Sequence, residues 1–158
     1  MRGEGDLTVE AGFQRFGDGE GFIGLAGPYF WRADGDQAVE YGFRSEARHG
    51  NPNGVLHGGS VSTFVDTAIG CEVMRITGRR CATITLNLQY VAGARAGDWI
   101  SARMTVKKVT RTLAFIDGEV TAGDTLIMLA SAVFRVFPPD ETPFQFPGGP
   151  RFSGTLQP

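Results

Sequence analysis

Residues 51–76 read NPNGVLHGGSVSTFVDTAIGCEVMRI, and the fold turns on how this stretch is read. Val61, Phe64, Val65, Ala68, Ile69, Val73 and Ile76 recur at steps of three and four. That period predicts a helix with one apolar stripe, buried along one side. Thr77 and Gly78 end it, the glycine suiting the left-handed residue that closes many helices. Ahead of the helix stand the turn formers Asn51-Pro52-Asn53-Gly54 and then His57-Gly58-Gly59-Ser60, where the first helical turn has N–H groups without intrahelical partners. The two glycines keep side chains away from those donors. Bare amides and the helix dipole together favour an oxyanion or a polarised carbonyl oxygen at that end. Asp66 lies about two turns further on and off the apolar stripe, so one segment carries both a carbonyl-polarising end and a carboxylate.

Beyond the helix the period changes from 3.6 to 2. Ala82, Ile84, Leu86, Leu88 and Tyr90 alternate with Thr83, Thr85, Asn87 and Gln89, and Ile100, Ala102, Met104 and Val106 alternate with Ser101, Arg103, Thr105 and Lys107. Residues 113–122 and 126–137 give two further strands, the last apolar on both faces at 127–129 and so expected to be covered on both sides. The connections at 92–97, 109–112 and 123–124 are short enough for antiparallel neighbours. Before the helix, residues 29–33 and 38–44 read as a hairpin around Asp34-Gly35-Asp36. One long helix facing an antiparallel sheet, with strands on either side of it in the chain, predicts an α+β layered domain. The pattern alone admits several helix-on-sheet folds.

At 158 residues the chain has room for one domain with a real core, yet is small enough to gain from a partner subunit. A net charge of -2 without a basic tract argues against nucleic acid or a membrane surface as partner. The start, MRGEGDLTVEAG, has no signal-like apolar run and no segment reaches the length of a membrane span, so a soluble cytoplasmic protein is expected. Cys71 and Cys81 form neither a CxxC motif nor a disulfide framework and read as small buried side chains. With His49 and His57 as the histidines and no clustered ligands, neither a zinc site nor another cofactor is expected. No G-x-G-x-x-G fingerprint follows a strand, and no G-x-S-x-G elbow marks a serine hydrolase. Residues 1–27 hold Phe13, Phe16, Phe22, Ile23 and Leu25 with little periodicity, fitting a short helix or an irregular lid. Residues 138–158, rich in proline and glycine, cannot continue the sheet. Phe144, Phe146 and Phe152 would let that tail wrap over a neighbour, the alternative being disorder. The chain thus divides into 1–27, a domain at 28–137, and the tail at 138–158.

The order N-x-x-G-x-x-H-G-G followed by D-T-A is spelled here by Asn51, Gly54, His57, Gly58, Gly59 and Asp66. It resembles the hotdog-fold acyl-CoA thioesterases of the phenylacetate-degradation type, and the likeness extends over residues 41–136. The resemblance implies a hotdog fold, an antiparallel sheet wrapped around one long central helix. It also implies hydrolysis of an acyl-CoA thioester to free acid and CoA, the coenzyme being part of the substrate.

Such hydrolysis needs the growing charge on the carbonyl oxygen held, and a water oriented and deprotonated. Gly58 N–H suits the first task, against the plainer role of letting the chain turn tightly into a helix. Asp66 suits the second, as general base or as a nucleophile passing through a mixed anhydride, against the plainer role of a solvated polar-face residue. Asn51 offers an amide able to orient water or carboxylate, and His57 either reaches the thioester region or caps the helix. Thr83 falls where enzymes of this type carry a hydroxyl that helps place water, its alternative being an ordinary polar-face strand threonine. Gly59 belongs to the substrate-binding loop on this reading. The phosphates of CoA need cations; Arg79, Arg80, Lys107, Lys108 and Arg111 flank turns, with Arg80 and Arg111 ranked first.

The resemblance further implies dimers joined edge to edge, or pairs of such dimers, so that Asp66 of one chain faces the 51–58 loop of its partner. An exposed strand edge needs covering in any case. Two other readings stay open, a non-hydrolytic acyl-CoA binder and a hotdog hydratase or dehydratase, whose proton transfers ask for a His with an acidic partner.

Overall fold

The computed structural model describes residues 8–34 and 38–154. In chain order the elements are β1 (Gln14–Phe16), α1 (Gly21–Ala26), β2 (Tyr29–Asp34), β3 (Ala38–Arg44), a 3-10 turn (Ala47–His49), α2 (Gly58–Thr77), β4 (Cys81–Tyr90), β5 (Trp99–Val109), β6 (Leu113–Ala122) and β7 (Thr125–Val136). The 3.6-residue stripe becomes α2. It ends at Gly78, whose φ of 63° is left-handed and whose N–H reaches Met74 O. Val61, Phe64, Val65, Ala68, Ile69, Val73 and Ile76 are all buried. Each of the larger ones contributes roughly 1.5–3 kcal/mol by leaving water.

All strand pairings are antiparallel, and the seven strands lie in the order β1-β2-β3-β5-β6-β7-β4. The chain leaves β3, crosses as α2, and re-enters at the far edge as β4, so the sheet wraps the helix in the hotdog arrangement. Tyr29, Phe43 and Phe64 fill the space between the sheet and the first half of α2, with ring centroids 4.8–5.6 Å apart. The β2–β3 hairpin forms, and Gly35 and Asp36 of its turn lie outside the described residues. Ile127 and Met128, neighbours on β7 that face opposite sides, are both buried.

A bulge in β4 corrects the simple alternation. Thr83 pairs with Phe134 and Thr85 with Val133, leaving Ile84 as the extra residue and 53% exposed. Cys81 and Thr83 therefore share the helix-facing side with Leu86 and Leu88, whereas strict period 2 from Leu86 would turn Thr83 outward.

The sheet also reaches outside residues 28–137. β1 pairs with β2 through Gln14, Arg15 and Phe16, a strand too short to show a period in sequence. α1 follows it. The tail folds back on its own chain: Phe146 packs on Phe16, Gly17 N–H donates to Pro147 O, and Phe144 N–H donates to Gly78 O. Ser153 N–H reaches Arg75 O near the end of α2.

Inside that end sits a buried charged cluster. Arg75 Nη2 and Nε donate to the two oxygens of Glu72 at 2.6 and 2.9 Å, and the Tyr41 hydroxyl donates to Glu72 at 2.9 Å. Burial, and then the Glu72 charge, hold the Tyr41 hydroxyl well above its ordinary range. No helix among the described residues is long and apolar enough to cross a membrane.

Candidate functional site

The first turn of α2 is built by His57. Its Nδ1 accepts the Gly59 N–H at 2.8 Å, and its carbonyl accepts from Ser60 N–H at 2.9 Å. An accepting Nδ1 puts the proton of the neutral ring on Nε2, and the residue as a whole is exposed. His57 thus caps the helix, and the Gly59 amide is already engaged. The Gly58 N–H is left with no acceptor among the described residues. Only this one donor of the glycine pair is open to a ligand.

Asn51 closes the preceding turn, its Oδ1 accepting Asn53 N–H at 2.9 Å and its own N–H donating to Val55 O at 2.8 Å. Its side-chain NH2 has no partner among the described residues. The loop is tied down from behind by the 3-10 turn. His49 O accepts from His57 N–H and from Ser60 Oγ, and His49 Nε2 donates to Ala26 O at 2.9 Å. Arg48 donates to Leu25 O and Gly27 O. The last carbonyls of α1 and the start of α2 are therefore held by two consecutive residues. Burial lowers the His49 pKa from its ordinary value, outweighing the bond to Ala26.

Further along α2, Asp66 is half-buried and accepts from the Thr83 hydroxyl of β4 at 2.7 Å. The β4 bulge makes this contact possible. Burial and then the Asp66 charge push the Cys81 thiol up to about 12, so this cysteine stays protonated and inert beside the carboxylate. Cys71 and Cys81 are both free thiols.

Sequence reasoning missed Tyr90. Its hydroxyl lies 3.3 Å from Gly58 O and 3.2 Å from Ser62 Oγ, and a Cβ on Gly58 would come within 2.9 Å of its ring. The ring therefore walls the open amide. An aromatic residue with a polar tip at the end of an apolar strand face was the available signal. β4 touches both halves of the site, Thr83 at Asp66 and Tyr90 at Gly58.

The two ranked cations separate. Arg80 pairs with Asp140 at 3.2 Å and lies over the Phe144 ring at 4.1 Å, while the exposed Arg111 sits in the β5–β6 turn. Among the described residues no group of three His, Cys, Asp or Glu side chains is arranged to hold a metal ion.

A family model described as the thioesterase superfamily matches residues 53–128. The provisionally named esterase PA0474 of Pseudomonas aeruginosa is 30% identical over 132 residues, covering 82% of this chain and 98% of that protein. The chain belongs to the thioesterase superfamily. Mouse acyl-coenzyme A thioesterase 13 is 31% identical over 87 residues, 54% of this chain and 61% of that one. A hypothetical thioesterase of Streptococcus pneumoniae, solved with coenzyme A, shares the fold at a TM-score of 0.65 and 19% identity, covering 72% of this chain and 88% of its own. The segment matched to the thioesterase superfamily takes in Gly58, Asp66, Thr83 and Tyr90, and leaves Asn51 outside.

Proposed function

We propose that this chain hydrolyses acyl-CoA thioesters, the carbonyl oxygen bound at the Gly58 amide of one subunit and the carbon attacked by water activated at Asp66 of another. The observation that carries the reading is a positioned carboxylate together with an unengaged amide. Thr83 fixes Asp66 at 2.7 Å, and the Gly58 N–H has no acceptor among the described residues. Within one chain the two are separated by about 12 Å of helix rise, too far to act on one carbon. A second copy running antiparallel along the free edge of β4 would bring its Gly58 to this Asp66.

At such a site Asp66 takes a proton from water as the hydroxide adds to the thioester carbon. The oxygen's new charge is met by the Gly58 N–H. The tetrahedral intermediate collapses with loss of the CoA thiolate, which receives the proton. Direct attack by the Asp66 carboxylate, followed by hydrolysis of the anhydride, uses the same placement. The unpaired amide NH2 of Asn51 orients the water or the carbonyl, and His57 holds the loop by its cap. The coenzyme enters and leaves with the substrate, and no other cofactor is required. The name of the mouse relative and the coenzyme bound to the Streptococcus pneumoniae protein support the acyl-CoA class.

The test is release of free thiol from a panel of acyl-CoAs of differing chain length and aromaticity. Turnover of at least one is expected. Tight binding of CoA esters with no thiol released would refute hydrolysis and leave a binding protein on the same scaffold.

A further inference from the structure

Of the three asparagines in the chain, Asn51, Asn53 and Asn87, Asn53 alone precedes a glycine. We infer that Asn53-Gly54 is a site of spontaneous covalent modification, at which the loop ahead of α2 converts to aspartate and isoaspartate and the site behind it is disabled. The loss of activity rests on the acyl-CoA reading above; the conversion itself does not.

The step joins the Gly54 nitrogen to Cγ of the Asn53 side chain. As that nitrogen gives up its proton it bonds to Cγ, the Cγ–Nδ2 bond breaks, and ammonia leaves a five-membered imide behind. Water then opens the ring at either carbonyl. Opening at Cγ leaves aspartate; opening at the main-chain carbonyl leaves isoaspartate, whose backbone runs through Cγ and is one carbon longer. One water is consumed and one ammonia released, with no other reactant.

A side chain on the following residue crowds this ring closure. Gly54 has none, and a Cβ built on it would meet nothing within 4 Å, so the space around it is open. Asn53 and Gly54 are both exposed, and the Asn53 side-chain amide has no partner among the described residues. The Gly54 N–H donates to Asn51 O at 3.1 Å, longer than the 2.8 and 2.9 Å bonds beside it and on an exposed turn of the kind that opens readily. The other two asparagines lack these conditions. Asn51 precedes Pro52, whose nitrogen has no proton to lose, and Asn87 is held in the β4–β7 ladder opposite Ser131 and followed by the branched Leu88.

The turn is part of the frame of the site. Asn53 N–H holds Asn51 Oδ1 at 2.9 Å, and Asn51 N–H holds Val55 O at 2.8 Å, three residues before the open amide of Gly58. A main chain lengthened by one carbon between residues 53 and 54 cannot keep both spans. Misplacing a positioning group by about 1 Å costs on the order of 10² in rate. The aspartyl product keeps the backbone length and only adds a negative charge to an exposed loop.

The full chain is incubated at mildly alkaline pH and sampled over days, with the tryptic peptide 49–75 read by mass spectrometry and thiol release from an acyl-CoA measured on the same samples. The peptide should gain the mass of a hydroxyl in place of an amine, fragmentation should place the change at residue 53, an isoaspartyl methyltransferase should label it, and its rate should rise with pH. Asn53→Gln, whose longer side chain closes a ring far more slowly, should stay unmodified. Thiol release should fall in step with the isoaspartyl fraction of the parent and hold in Asn53→Gln, while freshly purified Asn53→Asp, which has the charge without the extra carbon, should keep most of the parental rate. An unchanged residue 53 in the folded chain, with conversion confined to the unfolded one, overturns the inference, as does thiol release that stays level while isoaspartate accumulates. Conversion at residue 53 in a chain that releases no thiol even when fresh upholds the modification site and refutes the hydrolase reading instead.

Discussion

Asp66→Asn, Thr83→Val and their combination test whether Thr83 works through Asp66. The asparagine keeps the shape and an oxygen for the Thr83 hydroxyl at the 2.7 Å position, but cannot take a proton or attack a carbonyl. Loss of a general base costs about 10²–10⁴ in rate, or roughly 2.7–5.5 kcal/mol. The valine keeps the threonine's shape and removes only the hydroxyl. A hydrogen bond to a charged group is worth about 1.5–3 kcal/mol when buried, and Thr83 is exposed, so about 1 kcal/mol and a rate loss near fivefold are expected. Because the hydroxyl's partner is the carboxylate itself, the double variant should be no slower than Asp66→Asn alone. The assay is kcat/KM for thiol release on the best acyl-CoA, with thermal unfolding of each variant as control. Melting temperatures should stay within about 5 °C of the parent, given about 2–4 °C per kcal/mol in a chain of this size. Losses that multiply in the double variant would show two independent contributions and refute the coupling. Near-parental turnover in folded Asp66→Asn would remove Asp66 from the reaction altogether.

The Glu72–Arg75 pair, at 6% and 9% side-chain exposure, should be much more sensitive in stability than in rate. Glu72→Gln leaves the guanidinium without its counter-charge, which costs about 3–5 kcal/mol and lowers the melting temperature by about 6–20 °C; an unchanged melting temperature would refute the account of that cluster. His49 has a pKa lowered in the folded state, so the unfolded chain binds the extra proton as pH falls below the ordinary value of 6.5. Its contribution is thus complete above that pH and is lost progressively below it. Glu46, whose N–H donates to Nδ1, and Arg48 are the charged groups beside it. Between neutral pH and pH 5 the melting temperature should fall, and His49→Gln should flatten the fall; parallel curves would exclude His49 as its source.

The helix and the strands were legible in sequence because each has one buried face and a long run over which to show its period. Gly78 was legible too, since a left-handed φ at a helix end selects glycine. β1 was not, because three residues cannot display alternation. The side on which Thr83 stands was also hidden. Its neighbours Thr85, Asn87 and Gln89 make a consistent polar row, and only the register across to β7 reveals the extra residue at Ile84. Within the loop, residue types announced a helix N-terminus with free donors, but not which donors. His57 could reach either a ligand or its own helix, and only the folded chain reveals that its Nδ1 takes the Gly59 amide at 2.8 Å. Arg80 shows the same limit in reverse. Its position beside a turn suggested a free cation, and a tail that returns through 138–154 supplied the partners Asp140 and Phe144 from sixty residues away.

β4 joins these observations into one argument. It is an edge strand with an unpaired ladder, and Ile84, Tyr90 and Val91 stand 53%, 59% and 52% exposed along it. Exposed apolar side chains on an open ladder are costly in water and open to pairing with another chain, so natural sheets cover or blunt such edges. This one carries neither proline nor charge from Cys81 to Tyr90. The same strand supplies the hydroxyl that holds Asp66 and the ring that walls the Gly58 amide. A residue that blunted the edge would therefore stand among the groups that form the site. On the proposed function, the chemistry of this strand and its lack of protection would both follow from one requirement, that a second copy complete what a single chain leaves about 12 Å apart.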